Sequence, residues 1–202
     1  MGPLRNAPDD VVVGRLAKDP AALEELFRRY RRIVLLYAAR RCRRPADVDD
    51  VVAATFLAAL ESCERYDPRR GEVRPWLLGI ARNQLGLLRR GEQRQQGLAF
   101  AAGAAGELSE DAFARLLEQI AAAQESVAMQ RALARLPEDQ REALLLVSRD
   151  DLSQKEAAAV LGITATAFRV RLLRARRAMR SLLPPAEIEY QRPWPRPKEA
   201  EK

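Results

Sequence analysis

Along nearly the whole chain, apolar residues return at intervals of three and four, and no stretch joins strand alternation to hairpin punctuation, so the pattern predicts an all-α protein. The first strong helix is announced by Asp19 as N-cap and Pro20 at the first helical position. It carries Leu23, Leu26, Phe27, Tyr30, Ile33, Val34 and Tyr37 inward, and its other face is arginine. A short helix precedes it, around Val11 to Lys18. After a stop at Pro45, a second helix is expected from about Asp47 to Cys63, with Val48, Val51, Val52, Phe56 and Leu60 inward. A third is expected from Pro75 to about Arg90, placing Trp76, Leu77, Ile80, Leu87 and Leu88 on one side. These helices make a first small domain, residues 1–90.

Residues 91–126 read as a linker. GEQRQQGLAFAAGAAG has glycines and weak periodicity, as a flexible connector does, and Phe113, Leu116, Leu117 and Ile120 mark a short amphipathic helix within it. A second small helical domain, residues 127–183, follows. Val127, Leu133 and Leu136 belong to a helix that Pro137 ends, and Leu144 to Val147 belong to the next. The tail, residues 184–202, holds five prolines and no helical period, which predicts disorder or polyproline-like chain. Trp194 between Pro193 and Pro195 is either a docking anchor or part of an untethered terminus.

The segment Ser153 to Met179, SQKEAAAVLGITATAFRVRLLRARRAM, carries the most information. Ser153 and Glu156 form a capping box, each satisfying an amide left over at a helix start. Ala157, Val160 and Leu161 give an apolar stripe, Ala158 is small where a second helix must approach, and Gly162 supplies the positive φ of a tight exit. At about 100° per residue, Phe168, Leu172, Ala175, Met179 and Leu182 of the following helix fall on one face. The opposite face carries Thr166, Val170, Leu173, Arg174 and Arg177, flanked by Arg169 and Arg180. This is a helix-turn-helix, and nucleic acid is the first partner it suggests. Arg169 and Arg174 project as readers of guanine edges or phosphates, the alternative being a solvated basic face. Arg171 lies beside the core stripe, where it is expected to pair with Glu156 rather than touch DNA.

Composition narrows the classes further. The chain has 202 residues, 48% hydrophobic and 31% charged, which is ordinary for a folded globular protein. Its net charge of +7, mostly from arginine, suits phosphate partners. No run approaches a membrane span, and MGPLRNAPDD lacks the apolar core of a signal peptide, so a cytoplasmic protein without a membrane partner is expected. Cys42 and Cys63 are too few for a disulfide framework and are read as free thiols. With no histidine and no D-x-D or Walker-type spacing, neither a metal site, a cofactor nor a catalytic centre is expected.

The order of parts then resembles a known family. DPAALEELFRRYRRIVLLYAARR, ADVDDVVAATFLAAL and YDPRRGEVRPWLLGIARNQL resemble, in sequence and order, regions 2.1, 2.2 and 2.3 to 2.4 of the extracytoplasmic-function (ECF) group of bacterial RNA polymerase sigma factors. LARLPEDQREALLL resembles region 4.1 and the helix-turn-helix region 4.2. The resemblance implies a sigma-2-like and a sigma-4-like domain that bind core RNA polymerase, recognise the -10 and -35 promoter elements and help open the duplex. It implies no catalytic site.

On that resemblance, Asp47, Asp49 and Asp50, with Phe56 on the apolar side, form a polymerase-docking helix; helix-dipole complementation and capping are the alternative account of the aspartates, and the two are compatible. The loop from Tyr66 to Arg74 and the next helix resemble the element that captures an unstacked base of the non-template strand. Tyr66 is the stacking candidate, exposed by its loop position, and Trp76 is either a second platform or a core residue. Arg69, Arg70 and Arg74 would hold phosphates, and Arg82 and Asn83 would face the duplex at -10. Arg89 and Arg90 are backbone contacts or a solvated helix end. The -35 surface maps onto Ser153, Lys155, Thr164, Thr166, Arg169, Val170, Leu173, Arg174 and Arg177. Ala165, Thr166 and Ala167 depart from the glycine or threonine of many members, which leaves the -35 sequence open. Val170 and Leu173 favour thymine methyl groups. Anti-sigma partners are common in the family, though no residue here identifies one. Two other readings stand beside this one: a free-standing helix-turn-helix regulator, and a sigma-like adaptor that sequesters polymerase.

Overall fold

The protein is described by a computed structural model covering residues 4–42, 44–95, 115 and 127–183. The expected helix around Phe113 to Ile120, most of the connector and the proline-rich tail with Trp194 lie outside the described residues. Among those residues every regular element is helical, and the chain divides into two compact units, Met1–Ile120 and Ala121–Lys202.

The first unit contains α1 (Asp9–Arg15), α2 (Pro20–Ala39), α3 (Pro45–Ser62) and α4 (Val73–Gln95), with short 3₁₀ turns at Leu4–Asn6 and Cys63–Arg65. Asp19 caps α2 by accepting from the Ala21 amide at 3.0 Å, and Pro20 occupies the first turn. Helices α2, α3 and α4 pack on one another, and α1 lies on α2. Their shared core contains Leu26, Val34 and Tyr37 of α2, Val48, Val51 and Phe56 of α3, and Leu77, Leu78, Ala81 and Leu85 of α4.

Two proline readings change. Pro45 opens α3 rather than stopping the chain before it, because an absent N–H costs nothing in a first turn, and Arg44 before it takes the extended backbone that proline favours. Likewise α4 begins at Val73, ahead of Pro75, and continues past Arg90 to Gln95. The inward face of α4 is also rotated from expectation. Val73, Leu77, Leu78, Ala81 and Leu85 are buried, Trp76 and Ile80 are half-buried, and Leu87 is 54% exposed.

Arg29 fastens the N-terminal segment to α2. Its guanidinium donates to the Glu25 carboxylate at 2.6 Å, to the Ala7 and Leu4 carbonyls at 2.8 Å each, and to the Asp9 carboxylate. Asp9 also accepts from the Tyr30 hydroxyl, and Arg28 donates to both oxygens of Glu25. Hydrogen bonds from Arg28 and then Arg29 hold the Glu25 carboxyl down at about 2, from an ordinary 4.5. Burial, followed by the hydrogen bond to Asp9, pushes the Tyr30 phenol up.

The second unit contains α5 (Val127–Arg135), α6 (Glu138–Ser148), α7 (Gln154–Leu161) and α8 (Ala165–Leu182). Helix α8 is its centre and packs against the other three. The capping box of α7 is complete: the Ser153 amide donates to Glu156 Oε2 at 2.7 Å and the Glu156 amide to Ser153 Oγ at 3.2 Å. Gly162 ends α7 at φ 66°, a left-handed residue that turns the chain into α8. Phe168, Leu172, Ala175 and Met179 of α8 meet Leu144 and Leu146 of α6 and Ala157, Val160 and Leu161 of α7 in a second core. Leu182 is only half-buried, and Leu183 closes that end of the core instead.

Two stability predictions follow from these contacts. Because the folded Glu25 pKa lies below its unfolded value, its ion-pair contribution is fully present above about pH 4.5 and is lost as pH falls through about 2. Glu25→Gln should therefore be less stable than the parent near neutrality, with the difference shrinking as the medium is acidified; denaturant titrations across pH measure this. At Gly162 an added Cβ would meet nothing within 4 Å, so Gly162→Ala should cost only the backbone strain, roughly 1 kcal/mol. Gly162→Asn should cost less, and the midpoint of this unit's unfolding transition reads both.

Candidate nucleic-acid interface

The rotation of α8 about its axis is set by burial. Phe168 and Ala175 are 0% exposed and Leu172 2%, so this face points into the core. Arg169, Val170, Leu173, Arg174, Arg177 and Arg180 consequently face outward, with Thr166 at the start of the helix, all exposed. The structure thus brings together on one surface the residues expected to face DNA. Lys155, Ser153 and Thr164 are exposed nearby in sequence, at the starts of α7 and α8.

Both hydroxyls there already have structural work. Ser153 Oγ belongs to the capping box, and Thr164 Oγ1 accepts from the Ala167 amide at 3.1 Å as the N-cap of α8. Sequence reading missed the Thr164 cap because no glutamate stands three residues on to complete a box. Threonine just before the amphipathic run was the available signal. Each hydroxyl keeps its own proton to donate, so a cap does not bar a phosphate contact.

Arg171 departs from expectation in its partner. It is half-buried and pairs with Asp139 of α6 at 3.4 Å, not with Glu156. Glu156 is committed to the amide at the start of its own helix. The ion pair ties α8 to α6.

In the first unit, Tyr66 leaves the 3₁₀ turn in extended backbone. It is half-buried, not loosely exposed in a loop: its hydroxyl donates to the Gly71 carbonyl at 3.0 Å, and its ring lies 5.0 Å from that of Trp76 at 51°. The two aromatic residues, weighed separately in the sequence, are one pair. The turn between them is closed by Asp67, whose side chain accepts from the Arg69 amide and whose carbonyl accepts from the Arg70 amide, both at 3.0 Å. Arg69 and Arg70 are exposed on that turn. Burial raises the Tyr66 phenol, and the carboxylates of Asp10, Asp9, Glu72 and Asp67 raise it further. The rim of the pair therefore carries both signs of charge.

Along α4, Arg82, Asn83 and Arg90 are exposed, whereas Arg74 and Arg89 are half-buried. Arg90 folds back over Gly86, its Nη1 3.4 Å from where a Cβ would stand.

The candidate docking set on α3 changes more. Asp47 is 5% exposed and accepts twice from Arg44, at 2.6 and 3.0 Å, so it closes the start of its own helix. Phe56 is 5% exposed and meets Phe27 edge-on at 4.8 Å, because it shares the inward stripe of Val52 and Ala59. Neither side chain is offered to a partner. Asp50 is exposed and Asp49 half-buried, while Phe27 and Leu57 are 39% and 59% exposed. Arg31 lies over the Phe27 ring, 5.6 Å from its centroid. Leu57 was legible as the apolar residue beside the inward stripe; Phe27 was assigned wholly to the core.

Cys63 is buried, Cys42 half-buried, and neither forms a disulfide. Among the described residues no helix is long and apolar enough to cross a membrane, and no cluster of three or more histidine, cysteine, aspartate or glutamate side chains is placed to hold a metal ion.

Comparison with known proteins gives this arrangement its relatives. Residues 26–95 match the family described as Sigma-70 region 2, and residues 126–179 match Sigma-70, region 4. RNA polymerase sigma factor NccH of Alcaligenes xylosoxydans xylosoxydans is 34% identical over 89% of this chain and 97% of its own length. RNA polymerase sigma factor CarQ of Myxococcus xanthus is 32% identical over 85% of this chain and 94% of its own. Among solved structures, CnrH in complex with the cytosolic domain of CnrY superposes with a TM-score of 0.60 at 28% identity, covering 86% of this chain and 96% of that one. Relatives over most of the length also include proteins described as ECF RNA polymerase sigma factors. With both sigma regions in order and full-length relatives above 30% identity, the chain belongs to the ECF group of the sigma-70 family of RNA polymerase sigma factors.

Proposed function

We propose that this sigma factor holds promoter DNA at two points, reading the -35 element with α8 and trapping an opened base of the -10 element at the Tyr66–Trp76 pair. The observation that carries the reading is the rotation of α8, whose buried Phe168 leaves Arg169, Arg174 and Arg177 together on the outer surface of a helix-turn-helix. Each bidentate arginine contact to a guanine edge is worth roughly 1–3 kcal/mol of discrimination. At the other point, opening a base-pair step costs about 1.4 kcal/mol, and an aromatic platform returns about 1–3 kcal/mol per stacked base. One captured base is therefore enough to tip a breathing duplex. Arg69 and Arg70 on the turn supply phosphate contacts, and Arg82, Asn83 and Arg90 face the adjoining duplex.

Core polymerase docks on the α2–α3 surface, through Phe27 and Leu57 with Asp49 and Asp50 beside them. The chain acts in the cytoplasm as an initiation factor, without catalytic residues of its own; the polymerase does the chemistry. CnrH, its structural relative, is seen with the cytosolic domain of CnrY, and an anti-sigma protein is the corresponding partner here.

Run-off transcription with purified core polymerase tests the whole reading, which fails if the chain never yields promoter-specific transcripts. Arg174→Ala should lower -35-dependent initiation about tenfold or more while core binding is kept, as measured by holoenzyme assembly and transcript yield. Asp50→Lys should do the reverse, weakening assembly while α8 still binds -35 duplex. An adaptor that only sequesters polymerase would bind core and be indifferent to Arg174→Ala.

A further inference from the structure

The reading surface of α8 is not uniformly basic. Leu173 is 64% exposed and Val170 44%, and they lie between Arg169 and Arg174. Leu173 is the most exposed large apolar side chain among the described residues, on a helix whose own core stripe is complete without it. Neither residue is needed for packing: Phe168, Leu172, Ala175 and Met179 already fill the interior. Leaving two branched apolar side chains in water amid arginines is unfavourable unless a partner covers them.

The charge around them selects the partner. Arg169, Arg174 and Arg177 draw a polyanion to this face, and they disfavour an apolar protein surface, which would have to strip water from the guanidinium groups. On a duplex, the apolar feature that a major groove offers is the C5-methyl group of thymine. Spacing agrees with more than one such contact. Three residues of α-helix advance about 4.5 Å, close to the roughly 3.4 Å rise between successive bases, so two neighbouring side chains of one face reach neighbouring base pairs.

We propose that Val170 and Leu173 read the methyl groups of adjoining thymines in the -35 element, with Arg169 and Arg174 fixing the base pairs or phosphates on either side. This rests on the assignment of α8 to the -35 duplex. It adds what that assignment lacks, a base identity at the positions the arginines do not read.

The test uses holoenzyme assembled from the full chain and core polymerase. Duplexes with a randomised upstream element are selected for binding, and the preferred duplex is then prepared with deoxyuridine in place of each thymidine of the element in turn. Deoxyuridine keeps every hydrogen-bonding group and removes only the methyl. The selected element should contain adjoining thymine-bearing pairs, and loss of a contacted methyl should weaken binding about three- to fivefold per position. Leu173→Ala and Val170→Ala should each bind more weakly and become insensitive to uracil at one of the two positions. Both substitutions fall on exposed positions of a helix, where alanine is favoured, and circular dichroism checks that the fold is kept.

An element without adjoining thymines, or uracil tolerated at every position, overturns the proposal while leaving α8 as the -35 reader. Loss of core binding in Leu173→Ala, with DNA preference unchanged, overturns it in favour of a protein contact. Failure to select any upstream element overturns both the proposal and the assignment beneath it.

Discussion

Burial of Phe168 is the constraint on which the helix-turn-helix unit of this protein depends. A helix with one ring wholly enclosed has a single rotation about its axis, and every outward residue follows from it. The glycine exit at Gly162 and the caps at Ser153 and Thr164 fix where the two helices of the motif begin and end. The Arg171–Asp139 pair adds a tie to α6. Function is thereby separated from stability along the body of one helix: the residues that bury α8 and those proposed to read DNA occupy opposite sides, and only the capping hydroxyl of Thr164 is assigned to both.

The first unit solves a different problem with the same means. Its N-terminal segment buries Leu4, Val12, Val13 and Leu16, and a polar hub fastens it further. Arg29 gathers two carboxylates and several backbone carbonyls that would otherwise need water, and its charge is satisfied within the fold. The number of arginines consequently overstates the basic surface available to nucleic acid, since Arg28, Arg29 and Arg44 are already matched to carboxylates.

How far the sequence was legible depended on whether local chemistry decided the outcome. The caps at Asp19 and Ser153, the left-handed glycine and the core stripe of α8 from Phe168 to Met179 are properties of a few neighbouring residues, and they were readable. The face of α4 was less so. That helix carries apolar residues on most sides, and the inward direction was chosen by tertiary neighbours: Leu78 and Ala81 turned in, while Leu87 was left outside. Pairing between distant segments was not legible at all. Nothing in the one-dimensional pattern joins Arg171 to Asp139, or Asp9 to Arg29 and Tyr30. The Tyr66–Trp76 pair lay between these cases, its members noticed separately because the turn that brings them together is made by Asp67 and the Gly71 carbonyl.

That turn bears on timing. A loop that had to order itself around an emerging base would lose conformational entropy at the step when the duplex is losing its stacking, of order 1–2 kcal/mol for each residue fixed. Here the Tyr66 hydroxyl and the Asp67 carboxylate have closed the loop during folding. The platform is preorganised, so in the proposed role the free energy of stacking goes into separating strands, and the pace of capture is set by the breathing of the DNA rather than by rearrangement of the protein.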